Sequence, residues 1–242
     1  NNNMSNKLYR VLNEEESYNI LYTSYINQSV RKNTVIEFYE QIETVCKLSW
    51  RCNIRISSAL RIATQYGWVI EDIQQMIKNN ATYIPLELFI VYDDPQEHIP
   101  LQMLVDFIVE YNSRYQATGI ALDDEKGHGQ YFWEVIWEIV RRKEFPEAFS
   151  RLDSCFAFID KGDAVQFADE LREPGYKLAD INLEDAKVQL YDMQWVTDVP
   201  VGSSMKEAVE YARNYWKGLR TKHPVMEALI SGDYTFKKSS ND

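Results

Sequence analysis

The sequence is poor in the common signatures of catalysis. It holds no GxxxxGK[ST], no GxGxxG after a strand, no HExxH and no GxSxG, so P-loop, Rossmann, zincin and α/β-hydrolase chemistry find no support. Its three cysteines, Cys46, Cys52 and Cys155, form no CxxC and sit among apolar neighbours. That reads as reduced, mostly buried thiols. The histidines His98, His128 and His223 are scattered and unpaired with Cys, so no metal site is expected. Nine Gly and seven Pro are too few for a fibrous or repeat class. No apolar run is long enough to span a bilayer and no signal peptide precedes the first strand, so a cytoplasmic protein with no membrane partner is expected. Positive charge is also short: 26 Lys and Arg stand against 37 Asp and Glu, a net charge of −11. A general electrostatic grip on nucleic acid is thereby excluded. Local basic faces remain at Arg51, Arg55 and Arg61, and at Arg141, Arg142 and Lys143, each of which also reads as a solvated helix face.

What the chain does have is apolar mass. Hydrophobic residues make up 45% of its 242 positions, with 16 Tyr, 10 Phe and 6 Trp. This is enough for a real core in one large domain or two small ones. Asn1–Asn3 reads as a tag outside the fold. Lys7–Leu12 reads as a short strand, and Asn13, Glu14, Glu15 and Glu16 as a cap followed by an acidic first turn, with a helix or loop through Tyr25. From Thr34 apolar residues recur at spacings of three and four (Val35, Ile36, Tyr39, Ile42, Val45, Cys46), and helical pattern dominates to Lys143. Pro85–Val91 is open between strand and buried helix. Asp123–Gln130 reads as a polar loop. After Phe145 strands take over. Ser154–Ile159, Tyr176–Leu183 and Lys187–Trp195 are expected strands, a helix follows a Ser203 or Ser204 cap, and a hairpin or strand occupies Glu227–Phe236. One strand at the start, a helical block in the middle and several strands at the end make an α+β layout.

Few polar residues in this pattern point to chemistry individually. Asp192 alternates with apolar residues, as a water-facing acid on a strand does. Glu138 and Arg141 make an ordinary surface pair three apart on a helix. Tyr215 and Trp216 read as core. Three stretches gain meaning together: LYRVL (Leu8–Leu12), FPEAFSRLDSCFAF (Phe145–Phe158) and PVMEALISGDYTF (Pro224–Phe236). They put Arg10 on a first strand, Ser154 at the head of a middle strand and Glu227 at the head of a last strand.

This set resembles the Arg–Ser–Glu arrangement of the ADP-ribosyltransferases. MEALISGDYTF is similar to that family's catalytic strand and SRLDSCFAF to its central Ser strand. YWKG (Tyr215–Gly218) together with the Phe145–Phe156 stretch also resembles a group of bacterial and phage proteins related to the same fold. The resemblance covers residues 7–12 and 145–236. It implies a split β-sheet core, one domain over 4–242, with 30–143 as a mainly helical insertion. It implies NAD as co-substrate, bound through Arg10, with Arg151 as a second phosphate contact and Phe156 or Tyr176 stacking on nicotinamide. Glu227 would stabilise the positive charge that develops at the ribose, and Ser154 would orient Glu227. Transferases that modify arginine often carry Glu or Gln two residues before the catalytic Glu. Here Val225 stands in that position, which points instead to relatives that modify nucleic-acid bases. The expected protein is thus an intracellular toxin or phage-defence effector with an RNA or DNA acceptor, held in check by an antitoxin-like partner. The alternatives are a non-enzymatic protein-binding module on a degenerate transferase fold, and an NAD glycohydrolase or RNA 2′-phosphotransferase-like enzyme.

Overall fold

A computed structural model describes residues 7–24, 29–122, 129–171 and 175–239. The expected tag, most of the polar loop with His128, and the last three residues lie outside these. The described chain mixes helices with antiparallel strands, the α+β class. It divides into two compact units. One comprises residues 1–33, 141–198 and 213–242. The other comprises 34–140 and 199–212. The helical block is therefore a unit of its own, and it recruits a short segment from the C-terminal part of the chain.

The first unit is built on a seven-stranded sheet. Its strands are β1 (Tyr9–Leu12), β2 (Leu21–Thr23), β5 (Cys155–Phe158), β6 (Lys177–Leu183), β7 (Lys187–Asp192), β8 (Met226–Ser231) and β9 (Asp233–Lys238), in the spatial order β2-β9-β6-β1-β5-β8-β7. The expected pairing of the first strand with the late strands is present: β1 lies between β5 and β6. Of the hairpin or strand expected at Glu227–Phe236, the structure has two strands that form no hairpin. β8 and β9 follow one another with only Gly232 between them, yet they pair with different neighbours and three strands separate them. In a flat sheet those strands would lie about 19 Å apart, four spacings of about 4.8 Å, which one residue cannot span. The sheet must therefore fold over. It does so between β1 and β5, which share the single pair Tyr9↔Phe158, whereas β1 and β6 share four.

Alternation along the strands then sorts the side chains onto two faces. The inner face gathers Leu8, Leu12, Cys155, Ala157, Ala179, Ala228, Ile230, Tyr234 and Phe236 from both halves into one buried cluster. Tyr22 packs on the Tyr234 and Phe236 rings there. On the outer face, helix α6 (Lys161–Leu171) covers Val11 and Phe158 with Ala164, Phe167 and Ala168. Small residues on its inward side let the helix lie close to the sheet. Of the helix or loop expected after Asn13, residues 13–20 take the loop, with turns at Glu14–Glu15 and Tyr18–Asn19, and Glu16 is buried.

The second unit contains α1 (Ser29–Cys52), α2 (Ile56–Gln65), α3 (Ile70–Lys78), α4 (Leu101–Thr118) and most of α5 (Gly129–Glu144). A small antiparallel pair, β3 (Tyr83–Pro85) with β4 (His98–Pro100), joins them. The Val35, Phe38, Ile42, Val45 and Cys46 stripe of α1 is buried, as its helical spacing requires. Pro85–Val91 is neither of its two expected forms. It makes a 3-10 turn at Leu86–Phe89 with Leu86 and Phe89 buried. Asp94 caps α2 from a distance, accepting the Arg55 N–H at 2.8 Å and the Ser58 hydroxyl at 2.6 Å. At the start of α8 (Met205–Trp216), Ser204 and Glu207 exchange side-chain to backbone hydrogen bonds as a capping box. Glu138 is buried, not a solvated surface acid.

Gly232 makes the fold-over possible. Its φ is +118°, and a Cβ there would stand 2.8 Å from the Cα of Ala186 in the β6–β7 turn. Gly232→Ala should therefore cost at least about 1–3 kcal/mol, read as a lowered midpoint in denaturant unfolding. An unchanged midpoint would contradict the tight crossing of the two turns.

Candidate functional site

The outer face of the sheet carries a row of register partners: Tyr9, Phe158, Glu227 and Tyr191 stand opposite one another across four strands. Glu227 is buried among them, 5% exposed. Burying a carboxylate is costly unless it is paired and hydrogen-bonded, and Glu227 has both kinds of support. The Arg151 guanidinium donates to its Oε1, and the Tyr215 hydroxyl donates to the same oxygen at 2.7 Å. Arg151 also donates to the Tyr215 oxygen at 2.8 Å, which closes a triangle of three side chains. Arg151 comes from a 3-10 turn, Arg151–Asp153, at the head of β5, and Tyr215 from the last turn of α8.

Aromatic rings hold this triangle in shape. The Arg151 guanidinium carbon lies 4.8 Å from the Phe156 ring centre and 5.3 Å from that of Tyr215, positions in which a ring quadrupole attracts a cation. Tyr191 stacks on Tyr215 at 4.7 Å, and Trp216 meets both edge-on. Burial above all, with the Glu227 charge adding to it against Arg151, holds the Tyr215 phenol well above its ordinary range. Tyr215 therefore stays protonated and serves as a donor to Glu227. Tyr191 leads outward: with Gln189, Phe145, Pro146 and Ala148 it lines an open cleft of about 320 Å³.

The expected site residues divide. Glu227, Arg151 and Phe156 come together. Arg10 does not join them. Tyr9 stands in the outer-face row, so Arg10, next to it, projects to the inner face between Leu8 and Leu12. There it donates to both carboxylate oxygens of Glu16 at 3.1–3.3 Å and to the Phe156 carbonyl at 2.9 Å. Glu16 also accepts the Asn13 N–H at 3.0 Å. The expected phosphate contact is thus a buried brace between β1 and β5. Ser154 is buried and its hydroxyl donates to the Ser150 carbonyl at 2.7 Å, so it ties down its own turn, and Tyr215 holds the expected place of Ser154 beside Glu227. Tyr176 packs into the layer under α6 with Val11 and Leu178.

Asp192 is a second correction. It is 1% exposed and does not face water. β7 ends there, short of the expected Trp195, and a helical turn α7 (Gln194–Thr197) follows. The Asp192 carboxylate accepts four hydrogen bonds: from the Gln194 N–H at 3.0 Å, the Thr221 N–H and hydroxyl at 2.7 Å each, and the Val225 N–H at 3.0 Å. It thereby fixes the segment that delivers Glu227 to the sheet. Sequence reasoning missed this anchor. It read Tyr215 and Trp216 as core, where both lie, and the hydrogen bond of Tyr215 to Glu227 adds a role that burial alone does not show.

Over residues 1–242 the chain matches the model of a family described as protein of unknown function, DUF2441. It belongs to that family. Among curated proteins no sequence matches it. The described residues contain no group of His, Cys, Asp and Glu suited to hold a metal ion, and no helix among them is long and apolar enough to cross a membrane.

Burial pushes the Asp192 carboxyl up, but its hydrogen bonds from Thr221, Gln194 and Val225 outweigh that, and its pKa lies below the ordinary value. A depressed carboxyl stabilises the fold fully above the ordinary aspartate pKa of about 3.9, and loses that contribution as pH falls through its lower folded value. Asp192→Asn should cost about 1.5–3 kcal/mol at neutral pH, and the gap from wild type should close in acid. Thermal melts across pH test this. A gap that persists or widens at low pH would reverse the sign of the argument.

Proposed function

We propose that this protein is an NAD-dependent ADP-ribosyltransferase in which Glu227 faces the reacting ribose. One observation carries the reading. The three stretches of the resemblance, far apart in sequence, occupy adjacent strands: β1, β5 and β8 lie side by side. The proposed chemistry breaks the bond between the nicotinamide nitrogen and the ribose, and nicotinamide leaves with the bonding electron pair. The ribose carbon passes through a cationic, oxocarbenium-like state and bonds to a nucleophile of the acceptor, whose proton is lost to water. A carboxylate stabilises that cation in the transition state alone. Tyr215, locked as a donor, keeps Glu227 in one orientation.

The phosphate-binding role passes from Arg10 to Arg151. Arg10 is spent on Glu16. Arg151 is aromatic-stacked and its guanidinium is a planar fork suited to phosphate oxygens. Its present partner is Glu227, so NAD binding exchanges that partner for the diphosphate and releases the carboxylate. Tyr191 and Phe156 offer ring faces for the nicotinamide. A nucleic-acid base is the proposed acceptor, which Val225, two residues before Glu227, favours. The placement of Arg10 on the other face also favours a second reading, a degenerate fold that binds without catalysing.

The deciding experiment supplies labelled NAD with separate pools of DNA, RNA and protein. Wild type should label the nucleic-acid pool. Glu227→Gln should lower turnover by on the order of 10²–10³ with NAD affinity little changed, because the cation exists only near the transition state. Arg151→Lys keeps the charge and loses the fork, so it should raise KM more than it lowers kcat. Release of free nicotinamide without labelling of any pool would make the protein a glycohydrolase. Absence of NAD binding by folded wild type would leave the binding-module reading.

A further inference from the structure

Helix α3 is preceded by a 3-10 turn, Tyr66–Val69, which packs against the turn Leu86–Phe89 in the helical unit. The buried residues of the two turns, Val69, Leu86 and Phe89, explain that packing. Their outward residues do not serve it. Trp68 is 85% exposed, and on the same stretch of chain Tyr92 is 73%, Tyr83 57% and Ile90 50% exposed. Single exposed hydrophobics are ordinary, whereas several large ones on adjoining turns mark an interaction surface.

Ile90 adds an independent argument. Its backbone is left-handed, φ +61° and ψ +39°, and it ends the Leu86–Phe89 turn. The other described non-glycine residues with positive φ are all asparagines, which tolerate that region. A β-branched residue there is strained, and Gly or Asn would close the turn at less cost. Being half exposed, Ile90 also returns little to the core. Fold stability therefore does not account for an isoleucine at this place, whereas contact with another molecule does.

Charge narrows the occupant. Exposed acids surround these residues: Glu71 and Asp72 follow the first turn, and Glu87, Asp93 and Glu97 surround the second. Lys78 is the one Lys or Arg between residues 62 and 100. Nucleic acid and anionic lipid are repelled by such a rim. A symmetric pairing of two copies would set acids against acids. What fits is a protein segment with apolar side chains between Lys or Arg residues. We propose that the Trp68–Ile90–Tyr92 surface docks a basic, amphipathic segment of a partner protein. The proposal does not depend on the reaction assigned to Glu227.

The test uses a fluorescein-labelled amphipathic peptide of leucine and lysine, with its leucine–glutamate counterpart as control, and reads anisotropy. Wild type should bind the basic peptide with an affinity that falls with salt, and should not bind the acidic one. Trp68→Ala and Ile90→Gly should each weaken binding by about tenfold. Ile90→Gly should at the same time leave the melting temperature unchanged or raised, since glycine relieves the strain. Glu87→Lys with Asp93→Lys should weaken binding, while Glu37→Lys with Asp169→Lys, the same charge change elsewhere, should not. Equal loss from both charge reversals would assign the effect to net charge and overturn the proposal. So would wild-type affinity in Trp68→Ala and Ile90→Gly, RNA binding that Trp68→Ala removes, or a wild-type dimer that Trp68→Ala dissolves in sedimentation.

Discussion

The fold of the sheet unit rests on a connection that is too short. β8 runs into β9 through Gly232 alone, and β6 into β7 through three residues, although in both cases other strands lie between the partners. Neither link spans a flat sheet. Both are possible only if the sheet folds on itself, and the two turns then meet: the Asp233 N–H donates to the Asp185 carboxylate at 2.9 Å, and the Glu184 N–H to the Asp233 carbonyl at 3.1 Å. The fold-over explains the thin ladder between β1 and β5 and the shared apolar cluster inside. It also brings β1, β5 and β8 together while leaving the outer side of β8 for Glu227.

A thin ladder needs other support, and Arg10 supplies it. Its guanidinium reaches across the seam to the Phe156 carbonyl while Glu16 neutralises it. Removing one member of such a buried pair leaves an uncompensated charge and is costly, about 3–5 kcal/mol in comparable cases. The described residues of the sheet unit thus include Arg–Glu pairs on opposite faces. Arg10 and Glu16 are joined within a short local turn and serve the sheet. Arg151 and Glu227 come from distant segments, share a tyrosine, and stand beside Tyr191, which lines an open cleft. Position, not residue type or exposure, separates the structural arginine from the functional candidate.

That distinction marks how far the sequence could be read. Periodicity identified the helices of 34–143 and the strands after Phe145, because burial of one face dictates spacing. The pairing of Leu8–Leu12 with late strands followed from the need for three motif stretches to meet. Facing could not be read for Arg10: a shift of one residue in register moves a side chain to the other face, and β1 is apolar on both sides, Leu8 and Leu12 flanking Arg10 on one and Tyr9 and Val11 standing on the other. Glu227–Phe236 stayed open between hairpin and strand for a related reason, since a glycine between two strands looks the same whether the strands pair or part. Asp192 was misjudged because alternation tells which side a residue lies on, not that backbone N–H groups of a later loop will fill that side.

The closed triangle also constrains what can open it. Glu227 is 5% exposed and Arg151 8%, so separating them without replacement leaves two buried charges. A neutral ligand offers no replacement. An anion alone would satisfy Arg151 and strand the carboxylate, and a cation alone would do the reverse. A ligand that carries anionic oxygens at one position and positive charge a few ångströms away can exchange both partners together. A dinucleotide with a diphosphate and a cationic nicotinamide-bearing ribose has that distribution, and its positive charge moves onto the ribose as the glycosidic bond breaks. Under the proposed reading the Arg151–Glu227 pair is therefore a charge template of the ligand: the protein holds in itself, while empty, the opposite charges that the bound molecule must supply.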